Sequence, residues 1–492
     1  MALIVVVILL VATGVRWVYL ELGTCGPGVD SIDGQCIGVT DGRVHLTPGL
    51  ADVLSKIQQE NAEVDRSGRS AVSVGYLLAL PRPSSNNPFE VALRHELEGA
   101  YLAQRVANGT KTGADEPLLR LLIANDGDQS NQWQEVVSTL LDRVDGAERL
   151  VAVVATGQTR TGRQQAIAAL TAEGVPVIAS RLTGDNLTPP DDASPVQGLV
   201  RLSPSISDQA ETAVAYLKRE QPNTRRALLI QNIDPNDGYS QSLGAAFLRA
   251  FPDDTHEVLK RIERYNPQLR GWPSTMKGML PSICDQKPDV ILFAGRGPEL
   301  AELIKALPQR SCSTLPIKFV TANSAVNLVN EIIQGDHELR KGVGEVTSVQ
   351  YTAAAHPESW KTSPESFAPG PRDYFESSCE KCYRTLFPGE FPGEPLNDGA
   401  AILGHDAIAI AIAAIRAGDV INDDPELVIQ EFNRLHGPKA VAGASGWISL
   451  DNGEPINKAI PILAVKPDGT VAFVQLTSPQ GSPCRPEIFG LC

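Results

Sequence analysis

Small hydroxyl residues follow two predicted strands in the stretch between Leu150 and Thr183. Two apolar runs too short to be helices, residues 151–155 and 175–179, flank a segment whose alanines, leucine and isoleucine recur at helical spacing. This pattern predicts a strand, a helix and a second, parallel strand. The carboxyl ends of parallel strands open into a crevice where ligands bind. These ends and the start of the helix carry Thr156, Gly157, Thr159, Thr161, Ser180 and Thr183.

These residue types suit recognition of a carboxylate. Gly157 lets the backbone approach a ligand, and the hydroxyl groups can donate or accept hydrogen bonds. A helix that starts near Gly162 directs its first amide donors toward an anion. The sequence therefore predicts the outline of a carboxylate receptor. The alternative is that the hydroxyl residues serve only as turn and capping residues, which are common at such positions.

The order of elements along the chain predicts an α/β protein with two similar lobes. From Ser70 the strand SAVSVGYLLAL, the helix PFEVALRHELEGAYLAQRVA and further strand–helix pairs alternate, which predicts a parallel sheet. After the break LTPPDDASP the alternation restarts. Residues 353–400 are predicted to form an irregular insertion, and residues 400–418 a buried core helix. The Asn-Gly and Asp-Gly turns near the end of the chain predict antiparallel strands.

Composition excludes some classes of partner. The chain has 492 residues, 42% of them hydrophobic, and a formal net charge of -15. The acidic balance opposes binding to nucleic acid or to anionic membrane surfaces through bulk charge. A soluble, folded protein that binds no nucleic acid is expected.

Motifs of enzymes are not visible. The sequence contains no Gly-x-Ser-x-Gly elbow, P-loop, His-Glu-x-x-His or close glycine fingerprint. The seven histidines are scattered, and His405 in an apolar helix predicts a satisfied core histidine. Asp126 and Asp128 follow a strand as ordinary turn residues. We therefore expect no catalytic residue, no metal site and no cofactor.

The N-terminus predicts export. Residues 1–20 carry no charge before Arg16 and are long enough for a membrane anchor or export signal, although a basic region in front is missing. Cys25 only loosely resembles a lipidation site. Residues 21–69 predict a linker with a small cysteine loop. The protein is expected outside the cytoplasm, anchored in the cell membrane through this segment or secreted.

Eight cysteines behind a hydrophobic leader predict disulfides formed outside the cytoplasm. Proximity in sequence favours four pairs. Cys379 and Cys382 form a Cys-x-x-Cys motif. We interpret it as a structural disulfide within a loop, in preference to a redox-active pair or half of a zinc site. The candidate pairs are Cys25–Cys36, Cys284–Cys312, Cys379–Cys382 and Cys484–Cys492.

The order and spacing of the motifs over residues 70–475 resemble a type I periplasmic binding protein, the fold of leucine/isoleucine/valine-binding proteins of ABC importers. The resemblance is carried by VVATGQTRTGRQQAIAALTAEGVPVIASRLTGDNLT, LVRLSPSISDQAETAVAYL, LLIQNIDPNDGYSQSLGAAFLRAF, DVILFAGRGPELAELIKAL, GHDAIAIAIAAI and GASGWISLDNGEP. It implies two Rossmann-like lobes joined by a three-strand hinge. The implied lobes are residues 70–200 plus 325–435 and residues 201–324 plus 436–475, with residues 476–492 as a tail.

In that family the ligand lies between the lobes, and the resemblance implies site residues here. A carboxylate would be held near Thr159 to Thr161 and at Thr183, and an aromatic residue near Asn236, Asp237 or Tyr239 would face the ligand. The strand end Gly295–Gly297 and the loop around Glu263–Tyr265 would supply the remaining wall and the ammonium partner. The candidate ligand-binding residues are Gly157, Thr159, Arg160, Thr161, Arg181, Leu182, Thr183, Asp237, Tyr239, Gly295 and Arg296.

Two arginines depart from the family pattern. Arg160 and Arg181 stand where small residues are usual, and no single acid is clearly placed to pair with an ammonium group. Guanidinium groups bind carboxylates in bidentate fashion, which favours a more anionic ligand such as a dicarboxylate or an acidic sugar. The alternative is that both arginines point outward and form ion pairs with acids.

The resemblance implies capture of a small polar ligand, an amino acid or related carboxylate, by hinge closure for an ABC permease. A membrane-tethered sensor that signals to a cytoplasmic partner is the alternative. A third hypothesis is an interaction surface that binds no small molecule.

Overall fold

A computed structural model describes residues 24–82, 87–109, 116–189, 196–376, 387–417, 424–488 and 490–492. The first of its two large sheets has eight strands in the spatial order β1-β2-β3-β5-β4-β6-β7-β8. Strands β4 to β8 run parallel, whereas β1 to β3 are antiparallel to one another and β3 is antiparallel to β5. The strands are β1 Thr24–Gly26, β2 Val29–Ile32, β3 Gln35–Thr40, β4 Ala71–Leu78, β5 Leu118–Asn125, β6 Leu150–Ala155, β7 Val177–Ala179 and β8 Leu199–Arg201.

The second sheet has the order β10-β9-β12-β13-β14-β17-β18, with β11 beside β9. Strands β9 to β14 pair in parallel, and β17 and β18 add an antiparallel edge. These strands are β9 Arg226–Asn232, β10 Glu257–Val258, β11 Glu263–Tyr265, β12 Val290–Ala294, β13 Lys318–Thr321, β14 Ser348–Thr352, β17 Ile460–Val465 and β18 Val471–Thr477; β15 Leu450–Asp451 and β16 Glu454–Pro455 form a separate hairpin.

Helices cover both sheets and complete the two-lobed α/β fold predicted from the sequence. The helices of the first lobe are α1 Ala51–Ser67, α2 Pro88–Gly109, α3 Trp133–Leu141, α4 Thr161–Ala172, α12 Glu358–Thr362, α13 Pro369–Asp373, α14 Phe387–Glu390, α15 Ala400–Ile415 and α16 Pro425–Phe432. Those of the second lobe are α5 Ile206–Glu220, α6 Gly238–Ala250, α7 Trp272–Gly278, α8 Leu280–Gln286, α9 Gly297–Ala306, α10 Ala325–Gln334 and α11 His337–Val343. Single 3-10 turns occur at Pro48–Leu50, Leu307–Gln309, Pro364–Ser366 and Gly437–Lys439.

The chain passes three times between the lobes, but two lobe boundaries differ from the predicted ones. Residues 325–352 lie in the second lobe because β14 pairs with both β13 and β17, and the apolar side chains of α10 pack in the second core. Residues 436–450 lie in the first lobe because Val441, Ile448 and Leu450 belong to its core. The crossings therefore lie between Leu202 and Ile206, after Ala353, and between residues 450 and 460.

The segment predicted as a linker, residues 21–69, is part of the first lobe from residue 24 onward. Strands β2 and β3 form a hairpin, and β3 extends the sheet beside β5. Helix α1 buries Leu54 and Ile57 in the first core. The prediction was wrong because a hairpin and one amphipathic helix gain their stability from this sheet, which their own sequence does not reveal.

The predicted core helix α15 is buried along most of its length and crosses α2 at very close range. Three predicted disulfides are formed, Cys25–Cys36, Cys284–Cys312 and Cys484–Cys492. The pair Cys379–Cys382 and the hydrophobic residues 1–20 lie outside the described residues. Within the described residues, no helix combines the length and the apolar character that crossing a membrane requires.

Candidate functional site

The carboxyl ends of the parallel strands from the two sheets face each other across a cleft. In the first lobe, β6 is followed by residues 156–160 and helix α4, and the adjacent β7 by residues 180–183. In the second lobe, β9, β12 and β13 lead through short loops into α6, α9 and α10. Between them lies a cavity of about 360 Å³ with residues of both lobes in its wall.

Most of the predicted site residues line this cavity. They are Gly157, Thr159, Arg160, Arg181, Thr183, Tyr239 and Arg296. Four others do not, because the fold uses them elsewhere. Leu182 packs in the core of the first lobe, and Asp237 is buried beneath the wall. Thr161 donates to Asn236 Oδ1 at 3.2 Å, and Gly295 is needed as glycine because a Cβ atom there would lie 2.0 Å from Tyr265 Oη.

Arg160 joins the two lobes at the edge of the cavity. Its NH1 atom lies 3.0 Å from Asp234 Oδ2, and its Nε atom donates to Gln158 at 2.9 Å. Asp234 also accepts from Gln268 Nε2 at 3.1 Å and has almost no solvent exposure. Arg160 thus lines the cavity and forms an ion pair with an acid, but it is buried and does not point outward as the alternative expected.

Arg181 lines the cavity with most of its donors unused. Its NH1 atom lies 3.6 Å from Glu96 Oε2, which is an ion pair without a hydrogen bond. The buried Glu96 carboxylate instead accepts from the hydroxyl groups of Tyr76 at 2.8 Å, Thr156 at 2.6 Å and Ser180. Burial and the neighbouring Glu96 raise the pKa of Tyr76 well above its usual value, so its hydroxyl group remains a donor.

Arg296 is fixed by a bidentate ion pair within the second lobe. Its Nε and NH2 atoms lie 2.8 and 2.6 Å from the Asp237 carboxylate. The guanidinium group also lies 4.9 Å from the centre of the Tyr239 ring, a cation–π distance. Burial opposes ionisation of Asp237, but Arg296 prevails and lowers the pKa of this carboxyl group below its usual value. The pair therefore holds Tyr239 and Arg296 in one fixed section of the wall.

Glu299 is an acidic residue of the wall whose oxygens already have donors. It accepts from the Tyr265 hydroxyl group, from the Arg296 amide at 3.0 Å and from Asn232 Nδ2 at 3.2 Å. Burial raises its pKa above the usual value. Because these bonds occupy the carboxylate, Glu299 is poorly placed to pair with a ligand ammonium group.

Comparison with known proteins shows the fold. No protein-family profile and no curated protein matches the sequence. Among solved structures, a leucine-binding protein of Thermotoga maritima has a TM-score of 0.60 at 18% identity, covering 83% of this chain and 99% of that one. A branched-chain amino acid transporter substrate-binding protein of Streptococcus pneumoniae in complex with isoleucine has a TM-score of 0.57 at 15% identity, covering 83% and 100%. The chain has the type I periplasmic binding protein fold.

Within this periplasmic binding protein fold, the predicted order of strands, helices and turns is confirmed over most of the chain. A third neighbour, an ABC transporter solute-binding protein of R. palustris in complex with 4-hydroxybenzoate, has a TM-score of 0.59 at 14% identity and covers 84% of this chain and 98% of that one. At these identities the comparisons establish the fold, and the residues of the cavity must be interpreted from their own geometry.

The sequence analysis missed several residues in the wall of the cavity between the two lobes. Helix α2 contributes Phe89 and Leu93, helix α7 contributes Trp272, and α10 contributes Asn327, whose buried Oδ1 atom has no hydrogen-bond partner among the described residues. The positions of Phe89, Trp272 and Asn327 in the first turns of their helices are the signal available in the sequence. That signal was not decisive because the same residues fit an amphipathic core face equally well.

A strained loop completes the wall at the start of α4. Gln129 and Ser130 adopt positive φ values of 56° and 61° although neither is glycine. The first turn of α4 lies against them, since a Cβ atom on Gly162 would be 2.8 Å from the Gln129 carbonyl oxygen. Such backbone strain is retained where the surrounding structure fixes it, often at binding sites. Asp126 and Arg163 anchor the loop through a buried ion pair with an N–O distance of 3.1 Å.

Proposed function

We propose that this protein is an extracytoplasmic solute-binding protein that captures a small carboxylate-bearing ligand between its lobes. The observation that carries the proposal is the unused hydrogen-bonding capacity of the Arg181 guanidinium group in the cavity wall. Its guanidinium group lies in the cavity wall, its side chain is 18% exposed, and it makes no hydrogen bond within the described part of the chain. A guanidinium group with free donors matches the two oxygens of a carboxylate.

The other wall residues support an anionic ligand with an apolar or flat body. Thr159 and Thr183 add hydroxyl groups to the wall that holds Arg181, and Phe89, Tyr239 and Trp272 add aromatic surface. The acid Glu299 is hydrogen-bonded on its own side of the cavity. An amino acid or a related carboxylate fits this combination, and the dicarboxylates are the class that would use more than one guanidinium group.

Delivery to an ABC permease is the proposed context. Two of the three named structural neighbours are binding proteins of an ABC transporter or a branched-chain amino acid transporter, which favours import over sensing. The disulfides favour an oxidising compartment outside the cytoplasm. We propose binding without chemistry, with closure of the lobes as the step that encloses the ligand.

The test is thermal unfolding of the full chain in mild detergent against a panel of amino acids, dicarboxylates, aromatic acids and uncharged sugars. A ligand at about 100 times its Kd adds about 2.7 kcal/mol to the free energy of unfolding. We expect carboxylates to raise Tm, and Arg181→Gln and Thr183→Ala to reduce the shift. The matched control Arg219→Gln removes an exposed guanidinium group outside the cavity and should bind as the parent does.

Two results would contradict the proposal. One is the absence of any shift across the panel for a folded protein. The other is a shift by uncharged sugars that Arg181→Gln leaves unchanged.

A further inference from the structure

A second cluster of polar residues lies on helix α2, on the side opposite the cavity. At 100° per residue, His95 and Glu98 face away from Phe89 and Leu93, which line the cavity. Both His95 and Glu98 are only 2% exposed. Glu394, from the segment 387–399 that packs on this side of α2, joins them. The cluster therefore belongs to a different part of the first lobe from the ligand site.

The cluster brings three metal-binding side chains together. One ligand atom each from His95, Glu98 and Glu394 lies within 4.8 Å of the other two. His95 and Glu98 are three residues apart and so share a helix face. His95 Nε2 is 3.0 Å from Glu394 Oε2, so imidazole and carboxylate converge from two different segments of the chain.

His95 is oriented from its other nitrogen. Its Nδ1 atom lies 2.6 Å from Asp398 Oδ2, and the Asp398 side chain is buried. A carboxylate that accepts from one ring nitrogen fixes the orientation of the ring, the usual arrangement behind a metal-binding histidine. The other nitrogen lies 3.0 Å from Glu394 Oε2, so a bound ion would take the place of the proton between them. Here that second nitrogen is Nε2, which faces the cluster.

Glu98 supplies an independent indication that a cation is needed. Its Oε2 atom is buried and has no hydrogen-bond partner among the described residues. Arg94 does not supply that donor: its NH1 atom lies 3.6 Å from Glu98 Oε1 and binds Glu394, and its NH2 atom lies 3.5 Å from His95 Nε2. A buried carboxylate oxygen without a donor is costly, and a bound cation would remove that cost.

We propose that His95 Nε2 and the carboxylates of Glu98 and Glu394 bind one divalent transition-metal ion, with Zn²⁺ as the best fit. An imidazole with two carboxylates suits zinc, whereas calcium and magnesium prefer oxygen ligands alone. The ion offsets the surplus of carboxylates over the Arg94 cation. Because Arg94 NH2 lies 3.5 Å from His95 Nε2, its guanidinium group moves away from that nitrogen when the ion binds and keeps its pair with Glu394. It fixes segment 387–399 onto α2 and so stabilises the first lobe.

The test is titration of the tag-free full chain with zinc chloride by calorimetry, after treatment with EDTA and dialysis. We expect one equivalent of Zn²⁺ to bind, a higher Tm, and no comparable binding of Ca²⁺. His95→Gln and Glu98→Gln should abolish this binding. Glu394→Gln, at a side chain that is 25% exposed and so leaves no fully buried charge, should do the same.

Two further variants separate a built site from adventitious binding. Asp398→Asn should weaken binding by roughly 10- to 100-fold, because it acts by positioning His95. His337→Gln, at a fully exposed histidine elsewhere, should leave the affinity unchanged. Cobalt should give visible absorption bands in the parent that disappear in His95→Gln. The proposal is overturned if no equivalent of Zn²⁺ binds, or if Glu394→Gln and His95→Gln bind it as the parent does.

Discussion

Arg160 of the first lobe and Asp234 of the second form an ion pair across the cleft, with 3.0 Å between NH1 and Oδ2. Both side chains are largely shielded from solvent, at 9% and 1% exposure. The pair is reinforced by an isolated bridge between the backbones of Arg160 and Asp237. The contacts stabilise the arrangement in which the lobes touch.

Asp234→Asn should shift the ligand-free protein toward an open arrangement. A hydrogen bond to a charged group contributes about 1.5–3 kcal/mol, so its loss should lower the ratio of closed to open molecules roughly 10-fold or more. Small-angle scattering should then give a larger radius of gyration. Glu257→Gln removes an exposed pair with Arg226 inside the second lobe and should change nothing. Equal radii for Asp234→Asn and the parent would show that the pair does not hold the lobes together.

Arg296→Gln should destabilise the second lobe strongly. It leaves the fully buried Asp237 carboxylate without its bidentate partner, and breaking such a pair typically costs about 3–5 kcal/mol. Urea unfolding measures the loss. The double variant Arg296→Gln with Asp237→Asn should recover part of it, because no unpaired charge remains. Glu211→Gln, which breaks the exposed pair with Arg249, should cost less than about 1 kcal/mol. Similar losses in the buried and exposed variants would contradict this account.

The local elements around the cavity were predictable from the sequence, but their long-range partners were not. Short apolar runs with small hydroxyl residues at their ends indicated β6, β7 and the position of Thr159 and Thr183. The partners of Arg160 and Arg181 are 74 and 85 residues away in sequence, and spacing cannot reveal such pairs. The linker prediction could have been avoided, because Asp33-Gly34 is a hairpin turn signal, and both residues indeed have positive φ values.

The lobe boundaries were harder for a different reason. Residues 325–352 continue the same alternation of helix and strand that precedes them. The pairing of β14 with β13 and with β17, the latter more than a hundred residues later, assigns them to the second sheet. Because the same alternation of helix and strand occurs in both lobes, it predicts the two-lobed α/β architecture but not the residues at which the chain passes from one lobe to the other.

Gly404→Ala should disrupt the packing of α15 on α2. A Cβ atom at Gly404 would lie 1.9 Å from the Glu96 carbonyl oxygen, and one at Gly99 would lie 1.8 Å from that of Ala401. The helices cannot separate without opening the first core, so we expect a loss above about 3 kcal/mol in urea unfolding. Gly370→Ala, at a helical glycine with no neighbour in the path of a Cβ atom, is the control and should be tolerated. Tolerance of Gly404→Ala would show that the crossing is looser than described.

His356 should make the protein less stable in acid. It lies beside the second crossing, where its Nδ1 atom accepts from the Glu358 amide at 3.2 Å and its ring lies 5.8 Å from that of Phe473. Burial lowers the pKa of His356 from 6.5 to about 4. Between these two values the unfolded chain takes up a proton that the folded protein does not. The free energy of unfolding should therefore fall by up to about 3 kcal/mol as the pH drops from 6.5 to 4.

His356→Asn keeps a hydrogen-bond acceptor near the Glu358 amide but cannot titrate in this range. Urea unfolding at several pH values should show a shallower loss of stability between pH 6.5 and 4 for this variant than for the parent. His337→Asn, which removes a fully exposed histidine, should retain the parent's slope. Parallel curves for His356→Asn and the parent would mean that His356 is protonated in the folded protein as readily as in the unfolded chain. The second crossing would then accommodate a charge.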